Sequence, residues 1–302
     1  MFEMMLMGIP RPPLTWQGTL MPRPTWADQA TAFGMCAGWE DGDIFIAGGS
    51  SATGTTKTFS KYNVNTGASS PLPNYPGSNT SHLRLWIYNK KVYALLRDQF
   101  HSYNPATNMW TKLTSYPYGN VLNGYGSSVN VYQGVAYFFG SSSDGSAKRI
   151  LYRHNTANDT LVTIRNWYTS VSSATYPFGA INNGIMYTLR AGVDEADYLT
   201  ITSLDGNTTR TIKTPATMGG LGFAVSKNNW IYFGGGGTAG NYRKVWRYNV
   251  ITEAFQVMPN LPVPFYNGGF ALVGGHLYIF AGYDDRLLTT QKDMWRYELP
   301  ED

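Results

Sequence analysis

The stretch 227–264, KNNWIYFGGGGTAGNYRKVWRYNVITEAFQVMPNLPVP, decides the fold. Trp230 to Phe233 is a short apolar run of good strand formers that stops at the glycines 234–237. Consecutive glycines after a strand mark a place where the backbone leaves the pleat, because glycine reaches positive φ without a Cβ penalty. A polar turn follows, then the strand VWRYN, Val245 to Asn249, another turn, and the strand AFQVM, which closes on Pro259. Ahead of them lies a small apolar strand, GFAVS (222–226). Four short strands joined by tight turns make one unit.

Five other segments repeat this plan. The aromatic in the middle of the second strand gives the landmark: Phe45, Tyr93, Tyr137, Tyr187, Tyr232 and Tyr278. The steps between them are 48, 44, 50, 45 and 46 residues. A period of that size predicts a propeller, since a single four-stranded sheet cannot bury its own faces and must lean on its neighbours. Third strands are expected at Tyr62, Tyr103, Tyr152, Ile201, Tyr248 and Tyr297, and fourth strands at 70–73, 110–113, 161–164, 210–213 and 254–258. The first strands, such as GFAVS and GFALV (269–273), are expected to be small because they crowd at the ring's axis. The glycines 48–49 and 234–237, with the Ala-Gly pair at 281–282, are expected to end their second strands.

The sixth unit has no fourth strand after MWRYELPED. Leu14 to Pro22, LTWQGTLMP, has the pattern of the fourth strand WTKLTSYP, so an N-terminal strand is expected to complete the last sheet and close the ring. Closure removes a long unpaired edge. Trp16 is the side chain expected to wedge between blades. The domain reading is a tail over residues 1–13 and one propeller over 14–302.

A glycine pair after the second strand, then a Tyr and a Trp or its substitute at this period, resembles the kelch repeat. The resemblance spans residues 14–299 and implies an all-β, six-bladed kelch-like β-propeller with four-stranded blades. Units two and four depart from the pattern: unit two has LLRD at 95–98 where the glycines belong, and unit four has LRAG at 189–192 and no tyrosine in its third strand. Five- and seven-bladed counts therefore compete with six.

Composition fits an all-β chain. Of 302 residues only 14% are charged and 15% aromatic, with 33 Gly and 16 Pro, which favours many strands and turns over helices. The net charge of +4 is spread along the chain without a basic run, which argues against a nucleic-acid partner. One cysteine, Cys36, excludes an internal disulfide framework and a multi-cysteine metal site. The N-terminus MFEMMLMGIPRPP carries Glu3, lacks a basic leader and is broken by Gly8 and Pro10. It reads neither as a secretory signal nor as a membrane span. The expectation is a protein of a virion or assembly surface that leaves by lysis, or otherwise a cytoplasmic one.

Catalytic constellations fail on inspection. Gly235, Gly237 and Gly240 form a GxGxxG, but a strand follows where a phosphate-binding helix is needed. GSSATGTT (49–56) lacks the P-loop lysine, and SSDGSAKR (142–149) lacks the Thr-Trp end of a sialidase Asp-box. His82, His101, His154 and His276 fall in different units without metal-ligand spacing, and no set surrounds Cys36 as the copper-oxidase kelch proteins require. His101 and His154 read as packing residues. Arg153, Arg247 and Arg296 repeat on third strands and read as solvated positions between buried aromatics. No metal, cofactor or catalytic residue is assigned.

The kelch resemblance implies that ligands meet the loops joining fourth to first strands and second to third strands. The former are rich in aromatics here, as in SYPYGN (115–120), NWYT (166–169), TYPF (175–178) and PFYNGG (264–269). His82, Trp167, Tyr176, Tyr266 and Asn267 are placed on that rim, with Asp98, Asp144, Asp194, Tyr283 and Asp285 just past second strands. Tyrosine and tryptophan beside Asn and Asp suit sugar rings and protein interfaces alike. The reading is a non-enzymatic binding or structural module, a component of a phage tail or similar virion surface, presenting its rim to a glycan or a protein partner and compatible with a homo-oligomer. Two alternatives compete: a sugar-handling enzyme resembling the sialic-acid mutarotases, with Glu195 and Arg190 as its acid–base pair, and an intracellular kelch interaction module.

Overall fold

The computed structural model describes residues 18–22, 34–37, 42–51, 54–77, 83–96, 99–113, 129–141, 149–155, 160–167, 178–189, 198–216, 220, 222–236, 243–284 and 289–300. These residues form six four-stranded antiparallel sheets and one small two-stranded ribbon, with no helix among them. Blade one comprises Gly34–Ala37, Asp43–Ala47, Phe59–Asn63 and Ser69–Leu72. Blade two comprises Arg84–Tyr88, Lys91–Leu96, Gln99–Asn104 and Met109–Lys112. Blade three runs through Asn130–Tyr132, Val135–Ser141, Arg149–Asn155 and Thr160–Trp167, and blade four through Phe178–Asn182, Ile185–Leu189, Tyr198–Ser203 and Thr209–Lys213. Blade five is Phe223–Lys227, Trp230–Gly234, Val245–Asn249 and Phe255–Met258. Blade six is Gly269–Val273, His276–Asp284 and Thr289–Glu298, completed by the N-terminal strand Gly18–Met21.

All six landmark aromatics fall in second strands, and the count of six is fixed. Units two and four, the two that depart most from the repeat, are complete four-stranded blades. The third strand of blade four does carry a tyrosine, Tyr198 at its start, contrary to the expectation of none, and the missing glycine pair of blade two does not prevent a complete hairpin ladder. The first strands touch one another in the order one to six and back to one, which closes the ring.

The core is shared between blades. Alternate residues of a strand face opposite sides, so Tyr232 points to the junction with blade six while Ile231 and Phe233 point to blade four. Each of the six junctions holds its own apolar cluster. That is why the strands read as continuous apolar runs. Close approach within a blade requires glycine at two inner positions: a Cβ on Gly179 would lie 2.4 Å from the Tyr187 carbonyl oxygen, and one on Gly222, just ahead of its first strand, 2.5 Å from that of Gly234. Not every first-strand residue is small: Phe178 and Phe223 open the first strands of blades four and five, and RLWIY of blade two carries Trp86, buried and stacked on Tyr93, Phe100 and Phe138. His154 completes that aromatic cluster from blade three and is fully buried.

Turn chemistry sets the hairpins. The first two strands of blades three and four are joined by Gln133–Gly134 and Asn183–Gly184, both residues of each pair at positive φ, the mirror-image turn that matches strand twist. Between third and fourth strands, Asn63 Oδ1 accepts the N–H groups of Asn65 and Thr66 at 3.1 Å, and Asn249 Oδ1 those of Ile251 and Thr252 at 2.9 Å. An Asn that accepts from its own turn substitutes for a backbone turn bond.

The N-terminal strand closes the ring in register: Gly18 opposite Tyr297, Thr19 opposite Arg296, Leu20 opposite Trp295 and Met21 opposite Met294. Met21 adds to the cluster between blades six and one. Trp16 lies outside the described residues. The Tyr62 hydroxyl of blade one donates to the Pro22 carbonyl at 2.9 Å, tying the closing strand to the next blade. Burial, and secondarily the charge of Tyr278, pushes the Tyr62 hydroxyl up to about 12 from 10.0. A raised folded-state value stabilises fully below the unfolded value and is lost as pH rises through the folded one. Stability is therefore expected to fall between about pH 10 and about pH 12, and Tyr62→Phe to flatten that alkaline limb in a pH-resolved denaturant titration.

Two further expectations require correction. Ala281 and Gly282 do not end the second strand of blade six. That strand runs on to Asp284, with a register shift between Phe280 and Gly282 that absorbs the irregularity as a bulge. Arg247 is not solvated. It is 1% exposed, its guanidinium carbon 3.8 Å from the centre of the Trp230 ring, with Nε donating to Gln256 Oε1 at 2.8 Å and Nη1 to the Tyr232 hydroxyl at 3.4 Å. The planar guanidinium satisfies its donors while stacking on an aromatic face, which makes burial tolerable. Arg153 is exposed and Arg296 half-buried.

Candidate ligand-binding rim

The glycine pairs create the rim. Gly48 and Gly49 have φ of 71° and 109°, and Gly235 and Gly236 have 69° and 94°, so both second strands leave the pleat in the left-handed region. This turns the second-to-third connection toward the incoming fourth-to-first loop. The Gly236 N–H donates to the Phe265 carbonyl at 2.7 Å, and the Tyr75 N–H to the Lys57 carbonyl at 2.9 Å. Leu261 and Arg243 exchange two further bonds at 2.7 Å, backbone N–H to carbonyl one way and Arg243 Nε to carbonyl the other. The two sets of loops therefore share one face of the ring.

Two fourth-to-first loops are each pinned by one buried aromatic among their described residues. In PFYNGG it is Phe265, 1% exposed and edge-on to Phe223 at 5.8 Å. In LPNYPG (72–77) it is Tyr75, fully buried and edge-on to Trp110 at 5.4 Å and His101 at 5.1 Å. Its hydroxyl lies 3.1 Å from His101 Nδ1. Burial, helped by the charge of Lys112, pushes the His101 imidazole below its ordinary range, so the ring is neutral at pH 7. Trp110 Nε1 donates to the Pro73 carbonyl at 2.8 Å and locks the start of the same loop. Some of the aromatics that crowd these loops therefore fasten them instead of meeting a ligand.

Beside the Phe265 anchor stand Tyr266 and Asn267, both half-buried, with Asn267 at φ 57°. Asparagine tolerates that conformation far better than a branched residue. Of the residues placed on the rim from sequence, these two are brought together on a loop held from both sides. Trp167 is the last residue of the fourth strand of blade three, opposite Arg149, and not a loop residue. Tyr283 lies within the extended second strand of blade six, opposite Thr290, and not past its end. In both cases a bulged ladder runs further than the turn signals suggest. His82, Asp98, Asp144, Tyr176, Asp194 and Asp285 lie outside the described residues, as do Arg190 and Glu195.

Sequence reasoning missed Arg84. It heads the first strand of blade two, is 3% exposed, and burial lowers it to about 10, which leaves it charged at neutral pH. The one signal was an arginine opening an otherwise apolar strand. Among the described residues no group of three or more His, Cys, Asp or Glu is placed to hold a metal ion, and no helix is long and apolar enough to cross a membrane.

No family model and no curated protein matches the sequence. Among solved structures, the chain is similar to YjhT with a TM-score of 0.72 at 14% identity, over 94% of this chain and 98% of that one. With 937 matching chains, the likeness describes a widespread propeller fold and carries no function with it.

Proposed function

We propose that the protein is a non-catalytic binding module of kelch-like type whose rim takes a glycan. The observation that carries this reading is the loop 264–268: Tyr266 and Asn267 stand half-buried beside a buried aromatic anchor and a backbone bond to Gly236. An aromatic face next to an amide on an already ordered loop offers stacking and hydroxyl recognition with little ordering cost on binding. Residence on the surface of a virion or a similar assembly belongs to the same proposal; proteomics of purified particles tests it, and absence of the protein from them would end it.

Tyr266→Ala is expected to weaken binding on a glycan array by about tenfold or more, the usual loss when a central aromatic contact is removed. Binding to a protein partner alone, with no glycan retained by the wild type, would replace the glycan reading with a protein-interaction one.

A further inference from the structure

The two pinned rim loops are fastened by different chemistry. The 264–268 loop is held by Phe265 against Phe223, and neither ring titrates. The 72–77 loop is held by Tyr75 against Trp110 and His101. His101 lies on the third strand of blade two, opposite Ala94 of the second strand and Lys112 of the fourth. It is 5% exposed, and Tyr75 belongs to the apolar cluster between blades one and two, with Phe59 and Leu83. The bond between the Tyr75 hydroxyl and His101 Nδ1, 3.1 Å long, is therefore made inside the core. Past it the loop stays close, since a Cβ on Gly77 would strike both the Tyr75 ring and the Gln99 amide.

A neutral imidazole can accept or donate at Nδ1, and the hydroxyl supplies the other half of the bond. A protonated imidazole can only donate there, and it carries a full charge. Among the described residues, the titratable groups facing it are Tyr75 from the loop, Lys112 from the fourth strand and Tyr103 on the same face of its own strand. Ala94, from the second strand, brings no charge. Lys112 has the sign of the protonated ring. With the loop closed, the added proton is opposed by burial first and by Lys112 second. With the loop lifted, water reaches the ring and both penalties fall.

We propose that the 72–77 loop is a clasp released by acid: a proton on His101 frees the Tyr75 side of the rim while the Phe265 side stays fastened. This holds whatever the rim binds. A ring that is harder to charge in the closed loop than in the open one favours opening as pH falls through the ordinary imidazole range. The effect levels off once both forms are charged.

The test is hydrogen exchange of the full chain from about pH 7 to about pH 5, with protection taken relative to the intrinsic rate at each pH. Two amides report on the two loops: Tyr75, which donates to the Lys57 carbonyl, and Gly236, which donates to the Phe265 carbonyl. Tyr75 is expected to lose protection about threefold or more over that range, while Gly236 keeps its own. His101→Gln, whose amide still reaches the hydroxyl but takes up no proton, is expected to hold the Tyr75 protection throughout. Should that variant fail to fold, the contrast between the two loops of the wild type decides alone. Unchanged Tyr75 protection in acid, an equal loss at Gly236, or the same loss in a folded His101→Gln overturns the clasp.

Discussion

Replacing Gly235 with valine is expected to lower the melting temperature by roughly 5–6 °C, reflecting a loss on the order of 3–4 kcal/mol. Two effects combine. Gly235 has a φ of 69°, where a branched side chain is strained. A Cβ there would also lie 2.7 Å from the Phe265 carbonyl oxygen and 2.9 Å from Phe265 Cδ1. That carbonyl is the acceptor for Gly236, so relief of the clash breaks the bond that joins the two rim loops. Alanine separates the two causes. Gly274 has a φ of 54° and open space around an added Cβ, so Gly274→Ala carries the backbone strain alone. Gly235→Ala is expected to melt several degrees below Gly274→Ala in calorimetry; equal melting temperatures would show that the Phe265 contact does not matter.

Removing residues 1–22 is expected to do more damage than any single substitution in the sheets. The closing strand supplies a four-residue ladder to Thr289–Glu298, the Met21 side chain to the last junction, and the acceptor for Tyr62. Losing the ladder alone costs on the order of 4 kcal/mol. The exposed strand then offers a free edge that another chain can pair with. The expected result is loss of the monomer peak and appearance of oligomers on size-exclusion chromatography. Appending residues 14–22 to the C-terminus through a flexible linker is expected to restore the monomer. A truncated chain that stays monomeric and melts as the full chain does would remove the closing strand from the account.

The blades were legible because the spacing of one aromatic carries the ring. Phe45, Tyr93, Tyr137, Tyr187, Tyr232 and Tyr278 occupy equivalent positions in six sheets, and each sits where burial demands a large side chain. Fourth strands start within one residue of the expected positions, with turns led by Asn63 in blade one, by Ser203 and Asp205 in blade four and by Asn249 in blade five. What failed to show were departures that depend on three-dimensional company. Arg247 sits on an alternating strand, and nothing in VWRYN tells that Trp230 and Gln256 will enclose it. Ala281 and Gly282 stand where blades one and five carry their turn glycines, yet the ladder runs through them as a bulge. Trp167 and Tyr283 were misplaced for the same reason: strand length beyond the sheet is set by pairing partners and not by local composition. Of the rim, Tyr266 and Asn267 were found from sequence, whereas their anchor Phe265 looked no different from its neighbours in PFYNGG. Burial against Phe223 is what distinguishes it.

The ring closed by its own first strand is tested most directly by a cross-link between Thr19 and Arg296, which face each other in the last sheet. With both changed to cysteine and Cys36 replaced by serine, mild oxidation is expected to join them within one chain, because register partners lie within disulfide reach. Intact mass after non-reducing digestion should show the linked peptides at monomer mass, while the pair Thr19→Cys with Asn249→Cys, on blade five, stays reduced. No link between positions 19 and 296, or a link found only between two chains, would contradict the closed six-bladed ring.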